Sequence, residues 1–102
     1  MVVSRYAKGR EREYRTMSIL KHDGWLVSRS AASHGAVDVF AAKGGKLLLI
    51  QVKSGRARVK KQELEELVSW GKNSNGDAEV WHFRDGGDVE KRRVYKAKGG
   101  NS

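Results

Sequence analysis

A chain of 102 residues has room for one small domain with one core, expected to span 1–102 with a loose tail over about 97–102. The lack of cysteine excludes a disulfide framework and a thiolate metal site, and no apolar run approaches the ~20 residues a membrane helix needs. Charge is lopsided: residues 1–60 hold 13 Lys+Arg against 4 acids, which is the whole +9, while residues 61–102 hold 8 of each. A basic half of this kind points to a polyanionic partner, nucleic acid first.

In chain order, residues 8–22 are rich in Arg, Glu, Lys and Leu and predict a helix, with Gly24 as its stop signal. "WLVSR" (25–29) reads as a short strand and "SAASHGA" (30–36) as a small-residue loop. Residues 37–42 and 46–53 read as two strands around "KGGK", followed by a basic loop, "GRARVK" (55–60). A second helix is expected over 60–71, with Leu64, Leu67 and Val68 on one face and Glu63, Glu65 and Glu66 elsewhere. "NSNGD" (73–77) is a turn, "AEVWHF" (78–83) a strand, "RDGGD" a tight turn and "VEKRRVY" a last strand. Trp70, Trp81 and Phe83 are assigned to the core or to an interface between copies. The pattern predicts an α/β fold: a single domain whose central mixed sheet is flanked by helices.

The segment VDVFAAKGGKLLLIQVKSG (37–55) is the most strand-like of the chain, yet it carries Asp38, Gln51 and Lys53. If Gly44-Gly45 is a two-residue turn, paired residues have numbers summing to about 89, and Asp38 comes opposite Gln51. Strand side chains alternate, so Gln51 and Lys53 share that face. The other face carries Val37, Val39, Ala41, Leu48, Ile50 and Val52. On the first helix, Met17 and Leu20 lie within roughly 40° of Glu13, so Glu13 belongs to the inward stripe while Glu11 faces solvent. An acid on an inward stripe needs a cationic partner or a bound cation.

Singly, each residue has a plainer role. In that reading Asp38 and Lys53 would form a structural ion pair, Glu13 would cap or pair on its helix, and Gln51 would be a hydrogen-bonding core residue. Together, two carboxylates and an amide carbonyl are hard oxygen donors suited to Mg²⁺, with Mn²⁺ as substitute. A lysine beside such a cation can orient a water for attack on phosphorus.

These residues resemble the PD-(D/E)xK nuclease superfamily, in which an Asp on one strand is followed by acid-x-Lys on the next. More narrowly, the chain is similar to the archaeal-type Holliday junction resolvases, which also occur in viruses and phages. The resemblance rests on Lys8-Gly9 and Glu13, Gly24-Trp25, "VSRSAAS", Val37-Asp38 and Gln51-Val52-Lys53, and covers about residues 5–70 well. It implies a restriction-endonuclease-like fold and a structure-selective endonuclease that resolves four-way DNA junctions by paired nicks, acting as a homodimer. It also implies Glu13, Asp38 and position 51 as ligands of a magnesium ion. Lys53 would position the water, and Ser33 (or Ser30) would contact the scissile phosphate. Arg10, Arg29, Ser30, His34, Arg56, Arg58 and Lys60 would meet DNA. The expected location is the cytoplasm, the host's if the source is viral or phage, with no membrane partner.

The chain departs from that pattern in having Gln at 51, where the family usually has an acid, and Tyr at 14, where related enzymes often have Arg. The glutamine leaves three readings open: a tolerated variant, an engineered change, or a nucleic-acid-binding module that no longer cuts. Another DNA nuclease of the same superfamily is the remaining enzymatic alternative.

Overall fold

The computed structural model describes residues 5–30 and 35–99, with side chains from Arg10 onward. With no proline to stop it, the first helix starts earlier than expected and forms α1 (Arg5–His22). Gly24 ends it at φ 90°, a conformation side-chain-bearing residues rarely adopt. Its N–H donates to Lys21 O and that of Trp25 to Leu20 O, closing the helix in a Schellman motif.

Three antiparallel strands follow, β1 (Leu26–Arg29), β2 (Val39–Lys43) and β3 (Lys46–Ser54). Gly44 and Gly45, both at positive φ, make the two-residue turn, and the register runs from Val39↔Ile50 to Lys43↔Lys46, as the turn chemistry required. Helix α2 (Lys61–Ser74) then carries the chain to β4 (Asp77–Phe83), which pairs parallel to β3, and β5 (Val89–Tyr95) returns antiparallel. The result is a five-stranded mixed sheet in sequential order with one parallel pair. A parallel step needs a crossover of a dozen residues or more, and α2 is that crossover. It runs to Ser74, past the expected end at 71, because the left-handed cap is Asn75.

Two apolar layers hold the helices to opposite faces. Leu20 of α1 packs with Val39, Ala41, Leu48, Ile50, Trp81 and Phe83, and Leu67 of α2 packs with Ala36, Val37, Leu49, Ala78 and Val80. The hairpin is therefore buried on both faces. Val37 is a correction: alternation put it with Val39, but β2 begins only at Val39, and the residues before it leave the ladder and turn to the α2 side. Trp81 and Phe83 are core residues, so of the three aromatics only Trp70, 45% exposed, is free for an interface. The tail expected to be loose from 97 is held further along. Ala97 N donates to Asp77 Oδ1 (2.7 Å) and Lys98 N to Asn75 Oδ1 (2.9 Å).

Candidate active site

Asp38 stands one residue before β2, where that strand leaves the sheet. Its N–H still donates to Ile50 O (2.8 Å), while its carboxylate accepts the Val52 N–H (2.7 Å) and so continues the ladder by side chain. That bond fixes the carboxylate against β3 at Val52, the residue between Gln51 and Lys53, while the paired register ends at Val39↔Ile50, one step short of the expected Asp38–Gln51 pair. Burial pushes the Asp38 carboxyl up to about 6. The Val52 N–H and the Lys53 charge oppose this, and the charges of Glu13 and Glu63 add to it.

The pH consequence has a definite sign. The folded state holds a proton on Asp38 between its ordinary 3.8 and about 6, where the unfolded chain has lost it. This group's contribution to stability therefore falls as pH rises through that window and is constant above it. Unfolding free energy measured for the protein and for Asp38→Asn should differ by an amount that changes between those pH values and nowhere else; a pH-independent difference would exclude the buried carboxyl.

Gln51 is 2% exposed, donates its amide to Glu63 Oε2 (3.0 Å) and leaves Oε1 without a hydrogen-bond partner. Lys53 reaches both oxygens of the same carboxylate, at 3.3 and 3.1 Å. Glu63 was missed in the sequence, where it stands among acids off the apolar stripe of α2. Unlike the exposed Glu65 and Glu66, it turns back toward the sheet and also accepts the Lys60 N–H (3.0 Å), capping the helix. Burial raises the Glu63 carboxyl, but the Lys60 N–H, the Lys53 ammonium and the Gln51 amide outweigh it and hold Glu63 below its ordinary value. The readable signal was positional: N3 of a helix beginning a few residues after an x-Lys strand.

Glu13 lies on the α1 side, where Arg29, at the end of β1, donates to it (3.2 Å). Arg29 also covers the Tyr14 ring at 5.1 Å, and its pKa is raised chiefly by the Glu13 hydrogen bond. Glu13 is thus ion-paired, yet near enough for its charge to act on Asp38. No group of three or more His, Asp or Glu residues able to hold a metal occurs among the described residues. A cation there would have to use the Gln51 carbonyl as well, and that carbonyl is the one unsatisfied buried side-chain atom among them. The donors available are hard oxygens and fit Mg²⁺ or Mn²⁺.

Of the expected DNA contacts, Ser33 and His34 lie outside the described residues. Arg10, Arg56, Arg58 and Lys60 are exposed and Ser30 is half-buried. Arg56 and Arg58 line a groove of about 730 Å³ together with His82, Arg84, Glu90 and Arg92, which the sequence reading left unassigned. Register ties this groove to the site: Lys53 pairs with His82 and His82 with Glu90, a row across three strands. His82 Nε2 contacts Gly55 O (2.7 Å) and helps pin the basic loop.

A mixed sheet carrying an acid where one strand begins and x-Lys at the end of its neighbour is the arrangement of the PD-(D/E)xK nuclease class, here with Gln51 at the position of the second acid. The sequence model of the archaeal Holliday junction resolvases (Hjc) matches residues 4–92, and the chain belongs to that family, whose members are metal-dependent nucleases of four-way DNA junctions. Among solved structures, the Holliday junction resolvase Hjc of the archaeal hyperthermophile Archaeoglobus fulgidus superposes with a TM-score of 0.76 at 23% identity, over 85% of this chain and 73% of that one. At that identity the likeness bears on the fold.

Proposed function

We propose that this chain cuts four-way DNA junctions with Asp38, Gln51 and Lys53 as the centre of its active site and Mg²⁺, replaceable by Mn²⁺, as the cofactor. The observation that carries this reading is the Asp38 carboxylate, pinned to the Val52 N–H and lifted to about 6 by burial beside Gln51 and Lys53. Burying an acid this way is costly to the fold and is common where a site needs it. Oxygen donors come from Asp38 and the Gln51 carbonyl, with Glu13 on the flank. When bound, the cation acidifies a water and neutralises charge that develops on the phosphate. Lys53, held by Glu63, presents its ammonium to orient the attacking water or a phosphate oxygen. Ser33, or Ser30, is the proposed contact of the scissile phosphate, with Arg29 approaching the backbone.

Paired nicks on opposed strands call for two sites, and a two-fold homodimer supplies them through one repeated interface. The charge-neutral second half and exposed Trp70 suit that contact. Among the described residues no helix is long and apolar enough to cross a membrane; the proposed setting is the cytoplasm, the host's if the source is viral or phage.

The test is a labelled four-way junction beside an equal-length duplex, with Mg²⁺, Mn²⁺ or EDTA. Metal-dependent, symmetrical cutting of the junction alone supports the reading; cutting of both substrates alike, or of neither, overturns it. DNA affinity should fall steeply with salt, because each neutralised phosphate contributes a log–log slope of about −0.9. Replacing Arg56 and Arg58 together by Ala should flatten that slope by up to about 1.8 and weaken junctions of different sequence alike.

A further inference from the structure

Two of the three residues in Gln51-Val52-Lys53 donate to the same carboxylate, and it lies on a helix. Glu63 takes the Gln51 amide on one oxygen (3.0 Å) and the Lys53 ammonium on both (3.3 and 3.1 Å). Helix capping requires only the bond from the Lys60 N–H, made by Oε1 (3.0 Å); it does not require the other oxygen to reach back onto β3. A carboxylate at 51 would face Glu63 as a like charge, whereas glutamine turns that contact into a donated hydrogen bond. A carboxylate thus stands against Gln51 and Lys53 from the next element of the chain.

An independent feature points to a ligand at the same place. Gln51 is 2% exposed and its Oε1 is the unpartnered atom, while the other end of the amide is fixed by Glu63. A buried bare carbonyl is costly unless a water or cation takes it. The Glu63 side chain is 31% exposed and that of Lys53 19%, so this ion pair is partly open to solvent. Glu63 also stands close enough to Asp38 for its charge to oppose ionisation there.

We infer that Glu63 supplies the second carboxylate of the divalent-cation site, joining Asp38 and the Gln51 carbonyl in place of an acid at position 51. The inference rests on the active-site reading given under Proposed function. It makes the glutamine a relocated site and not a dead one. It also gives Lys53 a second position, since a cation taken by Glu63 frees the ammonium from its ion pair to face the phosphate.

The test is Mn²⁺ binding by calorimetry to the intact protein without DNA, so cutting is not the readout. Four proteins are compared: the unmodified chain, Asp38→Asn, Glu63→Gln, and the swap Gln51→Glu with Glu63→Gln. Glu63→Gln keeps an oxygen for the Lys60 N–H, and thermal unfolding checks that it folds. The expected result is a loss of about tenfold or more for Glu63→Gln, a loss for Asp38→Asn, and recovery to within a few-fold in the swap. Unchanged binding in Glu63→Gln alongside loss in Asp38→Asn overturns the role of Glu63 and leaves the Asp38 site standing. Unchanged binding in both overturns the site as well. If Glu63→Gln alone does not fold, the swap is checked by thermal unfolding too and Glu63→Asp, which keeps a carboxylate, joins the comparison: near-normal affinity in a folded swap supports relocation, and affinity unchanged in Glu63→Asp together with none in a folded swap overturns it.

Discussion

Asp38→Asn is expected to lower junction cleavage by about 10³-fold or more while leaving junction binding intact. The size follows from what is removed. The carboxylate is the only charged oxygen donor fixed to β3 from the hairpin itself, and the several kcal/mol of charge stabilisation that a bound cation supplies convert to a factor of ten per ~1.4 kcal/mol. The fold should survive, because asparagine offers Val52 N–H an oxygen in the same place. It also removes the penalty of ionising a buried acid, so the variant should be no less stable at neutral pH. Binding should hold or improve, since a negative charge facing the DNA is gone. Single-turnover nicking with Mg²⁺ and gel shifts in EDTA separate the two quantities. A normal nicking rate would place the chemistry elsewhere.

Trp81→Ala should cost about 3–5 kcal/mol of folding stability. Trp81 is 2% exposed, packs with Leu20, Val39, Ile50 and Phe83 beneath α1, and donates from Nε1 to Glu79 Oε1 (2.8 Å). Truncation opens a cavity on the helix side of the sheet. It also strips a hydrogen bond from a buried carboxylate, leaving Glu79 to Arg93 alone (3.2 Å). A small domain holds roughly 5–15 kcal/mol in all, so much of the variant would be unfolded at modest urea concentration. Urea unfolding followed by far-ultraviolet circular dichroism checks this. A shift in oligomeric state with unchanged stability would instead mark Trp81 as an interface residue.

Local chemistry was enough for the hairpin. Gly44-Gly45 admits a two-residue turn, the turn fixes the register as far as Val39↔Ile50, and Asp38 follows one step beyond, bonded to Val52 N–H. The inward stripe of α1 was legible for the same reason, since a 3.6-residue period is a property of the chain itself. The family signature could be read because its residues are close in sequence and sit on elements whose periods are simple.

Other features depended on where elements meet. Val37 obeys no alternation because β2 starts after it, and the packing of the loop onto the α2 layer decides its side. Trp81 and Phe83 look the same in sequence whether they face a core or a partner; only the parallel pairing of β4 with β3 puts them beneath α1. The groove of Arg56, Arg58, Arg84 and Arg92 joins a loop to strands that begin some twenty residues later or more. Glu63 is the sharpest case. Period alone assigns it to the outside of α2, but a side chain in a helix's first turn can reach past the helix end, and what it reaches depends on how α2 crosses from β3 to β4. The sequence by itself determined the elements, the hairpin register and the pairing of Asp38 with an x-Lys strand, because turn geometry and side-chain period act over a few residues. The tertiary structure decided which carboxylate stands beside Gln51 and Lys53, because that choice is made by the packing of a helix against a sheet.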